Sequence, residues 1–202
     1  GWLMTSLSAS PLAVALVQVA GALPIFLLAL PAGALADIVD KRRYLLLVQL
    51  WMAGTALLLA LLSLGGYMSV TLLLVLTFAM GIGTALMMPA WSALAPEMVE
   101  RAELPAAVAL SSLGINVARA IGPALAGILV SISGPWLTFA LNAVSFLAVI
   151  IALLVWRRTP QESVLPAERL FGALRAGVRY ARSARPLQAV LVRTAAFFLG
   201  AS

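Results

Sequence analysis

An all-α integral membrane protein is the fold class this sequence predicts, and the distribution of its charges predicts it. Between Tyr44 and Pro96 run 53 consecutive residues without a charge, and between Leu104 and Trp156 another 53 contain only Arg119. With 63% hydrophobic residues, 10% charged residues and a mean hydropathy of +1.09, the 202-residue chain cannot cover a water-facing surface. A soluble domain is therefore excluded.

A bilayer core about 30 Å thick takes roughly 20 apolar residues of helix, so each 53-residue run is long enough for two crossings and a tight turn. Gly65-Gly66-Tyr67 divides the first run and Ser133-Gly134-Pro135 the second, which predicts spans near 44–65, 70–93, 106–131 and 136–156. A further span runs from about Leu12 to Ala36. Residues 1–10 read as the end of a preceding span and 187–202 as the start of a following one, giving five complete helices plus two partial ones. The chain opens at Gly1 and closes inside an apolar run (Ala195 to Leu199), so a longer protein truncated at both ends is expected.

Orientation follows from where the basic residues sit, because Lys and Arg in short loops are retained on the cytoplasmic side. Segments 37–43 (Lys41, Arg42, Arg43), 97–103 (Arg101) and 157–185 (seven Arg) carry the loop charge, whereas 65–69 and 132–135 carry none. Charged and uncharged connections alternate as five successive crossings require, so the charged loops are expected in the cytoplasm and the membrane is expected to be the inner one. Within 166–185, Leu170, Leu174 and Val178 recur at four-residue spacing while Arg175, Arg179 and Arg182 mark another face. That pattern predicts a basic amphipathic helix on the membrane surface. A solvated linker is the alternative, since Gly172 and Gly177 weaken a helix there.

The same composition removes whole classes of chemistry. No Cys and no His are present, so thiolate and imidazole metal ligands and a neutral-pH base are missing, and neither a metal site, a cofactor nor a catalytic residue is expected. The net charge of +6 does not point to nucleic acid, because eight of the 13 basic residues lie after Trp156 beside apolar segments without interleaved aromatics. Anionic lipid headgroups are the expected partner.

The most specific local pattern is the loop Gly33-Ala34-Leu35-Ala36-Asp37-Ile38-Val39-Asp40-Lys41-Arg42-Arg43. Gly33 permits close helix approach, Asp37 puts a carboxylate at the membrane edge, and Lys41 and Arg42 supply cations. Two roles fit: a latch for one conformation, or a positive-inside anchor. The Gly-x-Leu-Ala-Asp opening followed by a basic cluster resembles the cytoplasmic signature of the major facilitator superfamily between its second and third spans, which favours the latch. The likeness extends from Trp2 to Ser202 and is strongest to the transmembrane secretion effectors, a branch that includes enterobactin-exporter-like proteins. The closing Arg179-Tyr180-Ala181-Arg182, Pro186-Leu187 and Leu191-Val192-Arg193-Thr194 are similar to that branch's entry into its second half. Where the family usually carries a second Gly this chain has Asp40, so a different turn is expected.

Span 106–131 carries two stripes. Gly114, Ala118, Gly122 and Ala126 recur every fourth residue as a small-residue packing face, and Ser112, Asn116, Arg119 and Pro123 form a polar one. Gly122-Pro123 followed by Gly127 resembles the family's antiporter motif in the fifth span, with Ala118 and Ala126 standing where the pattern has Gly. Arg119 lies midway along the span, where insertion scales assign roughly 2.5–3.5 kcal/mol against an arginine. It is expected to meet water, substrate or a carboxylate, or else to hydrogen-bond between helices. The family's usual Arg, one span earlier, is replaced here by Thr77. Weaker polar positions are Gln18 and Gly21 in the first full span, Thr84 beside Gly81 and Met88, and Asn142 with Ser145.

The resemblance implies half of a major-facilitator-type fold working with a missing C-terminal half. It also implies export of a small molecule, such as a siderophore or drug, by alternating access between two six-span halves. No G-x-x-x-x-G-K-S/T loop is present, so an ion gradient, protons foremost, is the expected energy source. Substrate-pathway residues are expected to be Arg119, Asn116, Ser112, Gln18 and Thr84; gate residues Gly33, Asp37, Lys41 and Arg42; packing residues Gly114, Gly122, Pro123 and Gly127. A non-transporting membrane scaffold or complex subunit, with Arg119 paired to a partner chain, is the rival reading.

Overall fold

The computed structural model describes residues 2–100 and 102–156, leaving aside the side chains of residues 2, 37 and 95–98. The chain divides into two units, Gly1–Gln161 and Glu162–Ser202. The second unit, with the expected surface helix of 166–185 and the apolar start at 187, lies outside the described residues.

Six helices follow one another: α1 Trp2–Leu7, α2 Pro11–Ile38, α3 Lys41–Leu64, α4 Val70–Met98, α5 Leu104–Ser133 and α6 Pro135–Val155. No strand occurs among the described residues. The last five are each long and apolar enough to cross a bilayer, and at 1.5 Å rise per residue they run from about 31 to 45 Å. They match the five expected spans, overrunning most of the expected ends by a few residues.

Each boundary has a local cause. Pro11, Pro105 and Pro135 occupy first-turn positions, where their missing N–H takes no bond from the helix. Ser69 Oγ accepts from the Leu72 amide at 3.2 Å and starts α4. The turn between α5 and α6 is a single residue, Gly134, at φ +80°, a conformation a Cβ would strain. Asp40, at φ −59°, is the N-cap of α3, its carboxylate accepting from the Arg43 amide at 2.8 Å.

Packing is uneven. α2 lies against α4, and α3 against both α4 and α6, whereas the extensive contacts of α5 are with α6 alone. One buried cluster joins Tyr44, Leu45, Val48 and Met52 of α3 to Ala36, Ala90, Leu94 and Leu153; a second joins Met4, Ala13, Leu59 and Leu73. Lipid tails are as apolar as Leu, so close van der Waals fit holds such helices together. The tightest fits occur at glycines of α4. A Cβ on Gly81 would lie 2.7 Å from the Gly21 carbonyl oxygen and 2.9 Å from Pro24 Cγ, and one on Gly83 would lie 2.5 Å from Met52 Cγ.

Gly81→Ala in the full-length protein is therefore expected to lower its thermal stability in detergent by about 1–3 kcal/mol, because backbone of α2 must move away. Gly54→Ala, whose Cβ meets nothing within 4 Å, is expected to leave the melting temperature unchanged or raise it. Equal melting shifts for the two variants would show that the α2–α4 crossing is not limiting.

Candidate functional site

Two regions gather the chemistry-bearing residues, and the first is the end of the bundle where α3 begins. Arg42 Nε donates to the Leu153 carbonyl and Arg42 Nη2 to the Leu154 carbonyl, both at 2.7 Å. Lys41 Nζ donates to the Ala93 carbonyl at 3.4 Å. The last carbonyls of a helix have no partner within it and form the negative end of its dipole, so a cation there is doubly favoured. Arg42 thus caps α6, and Lys41 reaches the closing turns of α4. These contacts also put the start of α3 and the ends of α4 and α6 on one side, as the alternation of loops requires. Arg43 is exposed. Gly33 has open space around its Cα, so the close approach it permits is not made among the described residues. The Asp37 side chain lies outside them.

The second region is α5, a 30-residue helix without one buried residue. At 100° per residue, Ser112, Asn116, Arg119 and Pro123 fall within a sector of about 60°. Leu110, Leu113, Val117, Ile121 and Ile128, all roughly half-exposed or more, centre about 140° away. The helix therefore has a broad apolar face and, opposite it, a narrow sector holding these four residues, beside which Val108 and Ile115 are also exposed. Asn116 Nδ2 donates to the Ser112 carbonyl at 2.9 Å. Arg119 is exposed and makes no hydrogen bond or ion pair with the described residues. The small-residue stripe is open too: a Cβ at Gly114, Gly122 or Gly127 would meet nothing within 4 Å.

The remaining expected residues do not converge on this face. Gln18 is exposed on α2. The Thr84 hydroxyl donates to Met80 O of its own helix at 3.0 Å, and Thr77 Cγ2 stands 3.6 Å from the Cβ position of Gly21, so this stripe of α4 packs on α2. An apolar groove of about 350 Å³ between α2 and α4, lined by Leu16, Leu23, Val75 and Phe78 among others, has no polar side chain to hold a polar cargo.

Gln49 is a residue sequence reasoning missed. Only 2% exposed, it donates from Nε2 to Met87 Sδ at 3.6 Å while Oε1 has no partner among the described residues. One amide in an apolar α3 was the available signal. Trp51 Nε1, donating to Ala79 O at 2.8 Å, and Tyr44 Oη, donating to Leu86 O at 3.1 Å, are further ties from α3 to α4.

The family model described as transmembrane secretion effector matches residues 1–202. The chain is 31% identical over 135 residues to the staphyloferrin A transporter of Staphylococcus aureus, covering 64% of this chain and 33% of that protein. It is also 31% identical over 164 residues to the uncharacterized MFS-type transporter YfiS of Bacillus subtilis, covering 77% of this chain and 38% of that one. The chain thus spans about a third of the length of the curated relatives it matches. No solved structure matches it.

Arg42→Met in the full-length protein is expected to free the α6 carbonyls. Two charge-assisted bonds of this kind are worth roughly 1.5–3 kcal/mol each before solvent screening, so amide exchange through residues 150–156 is expected to quicken by tenfold or more. Arg43→Met is expected to leave it unchanged. Unaltered exchange in Arg42→Met would remove the capping role.

Proposed function

We propose, from the premise that this chain belongs to the transmembrane secretion effectors of the major facilitator superfamily, that it forms the N-terminal half of a secondary exporter of small molecules. The observation that carries the reading is Arg119, exposed at mid-span on α5 with Ser112 and Asn116 in the same sector of the helix. A cation costly to insert there is retained where it meets water or cargo. Ser112 and Asn116 share its sector of the helix, whereas Gln18 and Thr84 stand apart on α2 and α4 and have no part in this reading. A small molecule of the siderophore or drug class is the cargo, a reading supported by the relative named for staphyloferrin A.

Alternating access follows if this half and the remainder of the protein rock about a site near the midplane. Lys41 and Arg42 fasten α3 to the ends of α4 and α6, so this half moves as a unit, and Asp37 with Gly33 forms the latch at the cytoplasmic edge. The stripe of Gly114, Gly122, Pro123 and Gly127 gives α5 a smooth surface for a neighbouring helix. Energy comes from an ion gradient, with protons as the coupling ion, and the membrane is the cytoplasmic one.

Three measurements test this. In full-length protein Arg119→Leu is expected to reach the membrane at normal or raised levels, because insertion becomes easier, and to lose export; undiminished export would make Arg119 structural. In a Cys-free background, Tyr67→Cys is expected to react with an impermeant maleimide from outside and Glu100→Cys only from the cytoplasmic face, whereas the reverse pattern inverts the topology. Export is also expected to stop when a protonophore collapses the gradient, and persistence would exclude proton coupling.

A further inference from the structure

Gln49 lies within α3, 2% exposed, and its Oε1 accepts no hydrogen bond among the described residues. Its neighbours on the helix, Leu45, Val48, Met52 and Ala53, are buried and apolar. The donors nearby are committed elsewhere. Tyr44 and Trp51 donate to the α4 carbonyls of Leu86 and Ala79, while Thr55 and Thr84 donate to carbonyls of their own helices. A lone buried acceptor is rare in folded proteins and carries its full desolvation cost, so something besides these side chains answers it. Sliding α3 along α4 is a poor remedy. Tyr44 and Trp51 stand seven residues apart, as do their acceptors Leu86 and Ala79, so the two bonds are rungs about 10 Å apart with Gln49 between them. Any slide breaks both rungs at once. The remainder of the longer protein is no remedy either: with 2% of its surface exposed, the amide is sealed inside this packing and no outside group reaches Oε1 while the packing holds.

We propose that the α3–α4 interface is a binding site for one structural water, held by Gln49 Oε1 between the Tyr44 and Trp51 rungs. This is independent of the exporter reading. A water brings two donors, one for Oε1 and one for a main-chain carbonyl of α4. Carbonyls on this side of α4 take a second bond besides that of their own helix, as Ala79 O and Leu86 O do from α3. Room for it comes from the side chain on the other end of the amide: Gln49 Nε2 donates to the Met87 thioether at 3.6 Å, and an unbranched methionine adjusts its three torsions with little cost. A buried water of this kind needs two to four polar partners and about one probe sphere of space.

The test uses purified full-length protein in lipid nanodiscs and brief X-ray radiolysis. Radiolysis turns a bound water into a hydroxyl radical that oxidises what it touches, and methionine sulfoxide is then read by mass spectrometry. Met88, 54% exposed and next in sequence to Met87, is the internal reference. In Gln49→Leu, which removes the acceptor and keeps a side chain of similar bulk, the ratio of Met87 to Met88 oxidation is expected to fall about tenfold, because the water leaves with its partner. An unchanged ratio would overturn the proposal. A density map of the wild-type protein that resolves other buried waters gives a second reading without any substitution. Density at about 2.7–3.2 Å from Gln49 Oε1 is expected, and a map with none there would overturn the site as well. Folding of Gln49→Leu is checked by its melting, and if that variant does not fold the map decides alone.

Discussion

The hydrocarbon layer supplies no water to a peptide group, so every N–H and C=O within it must find its partner in the protein. Five long helices are the solution this chain adopts, and its polar side chains obey the same constraint. Thr55 donates to Trp51 O, Thr84 to Met80 O, Ser92 to Met88 O and Ser145 to Asn142 O, each on its own helix. Such hydroxyls are satisfied locally and make poor ligands. Against that background two groups stand out, the buried Oε1 of Gln49 and the guanidinium of Arg119. The first is an acceptor without a donor inside the packed core, an arrangement that a buried water or a shift of α3 against α4 would relieve. The second lies on the outside of the least-packed helix.

Satisfying the helix ends is a separate problem, and it explains the basic cluster. The Leu153 and Leu154 carbonyls close α6 and the Ala93 carbonyl lies five residues before the end of α4, and the first two residues of α3 are cations long enough to reach them. The positive charge that retains this loop on one side of a membrane therefore also binds three helices together. A loop of two residues between α2 and α3 and an Asp40 cap keep those cations in place.

Spans and turns were legible in the sequence because bilayer thickness and charge exclusion act on residues one at a time. Residues 70–93 read as a span from composition alone, and the helix continues to Met98 because backbone hydrogen bonding carries on past the length a bilayer needs. Partnerships between helices were not legible. Gly81 and Gly114 look alike in sequence, yet one is wedged against α2 and the other has open space, since contact depends on which helix crosses where. Arg42 and Lys41 read as a loop cluster because their acceptors lie 111 and 52 residues away. Arg119 was visible from its isolation; that it shares a narrow sector with Ser112, Asn116 and Pro123 emerges once α5 is a continuous helix.

An arginine at the centre of a span costs roughly 2.5–3.5 kcal/mol to insert, so the position of Arg119 constrains what α5 can lie against. That helix has no buried residue and packs extensively on α6 alone, and among the described residues the guanidinium makes no hydrogen bond or ion pair. Helices α3, α4 and α6 satisfy one another at the end where Lys41 and Arg42 donate to their carbonyls, and they do so without drawing on α5. The one charge in the middle of a described span therefore sits on a helix that the rest of the bundle does not need for its own packing, and the energetic reason for keeping it lies outside those contacts.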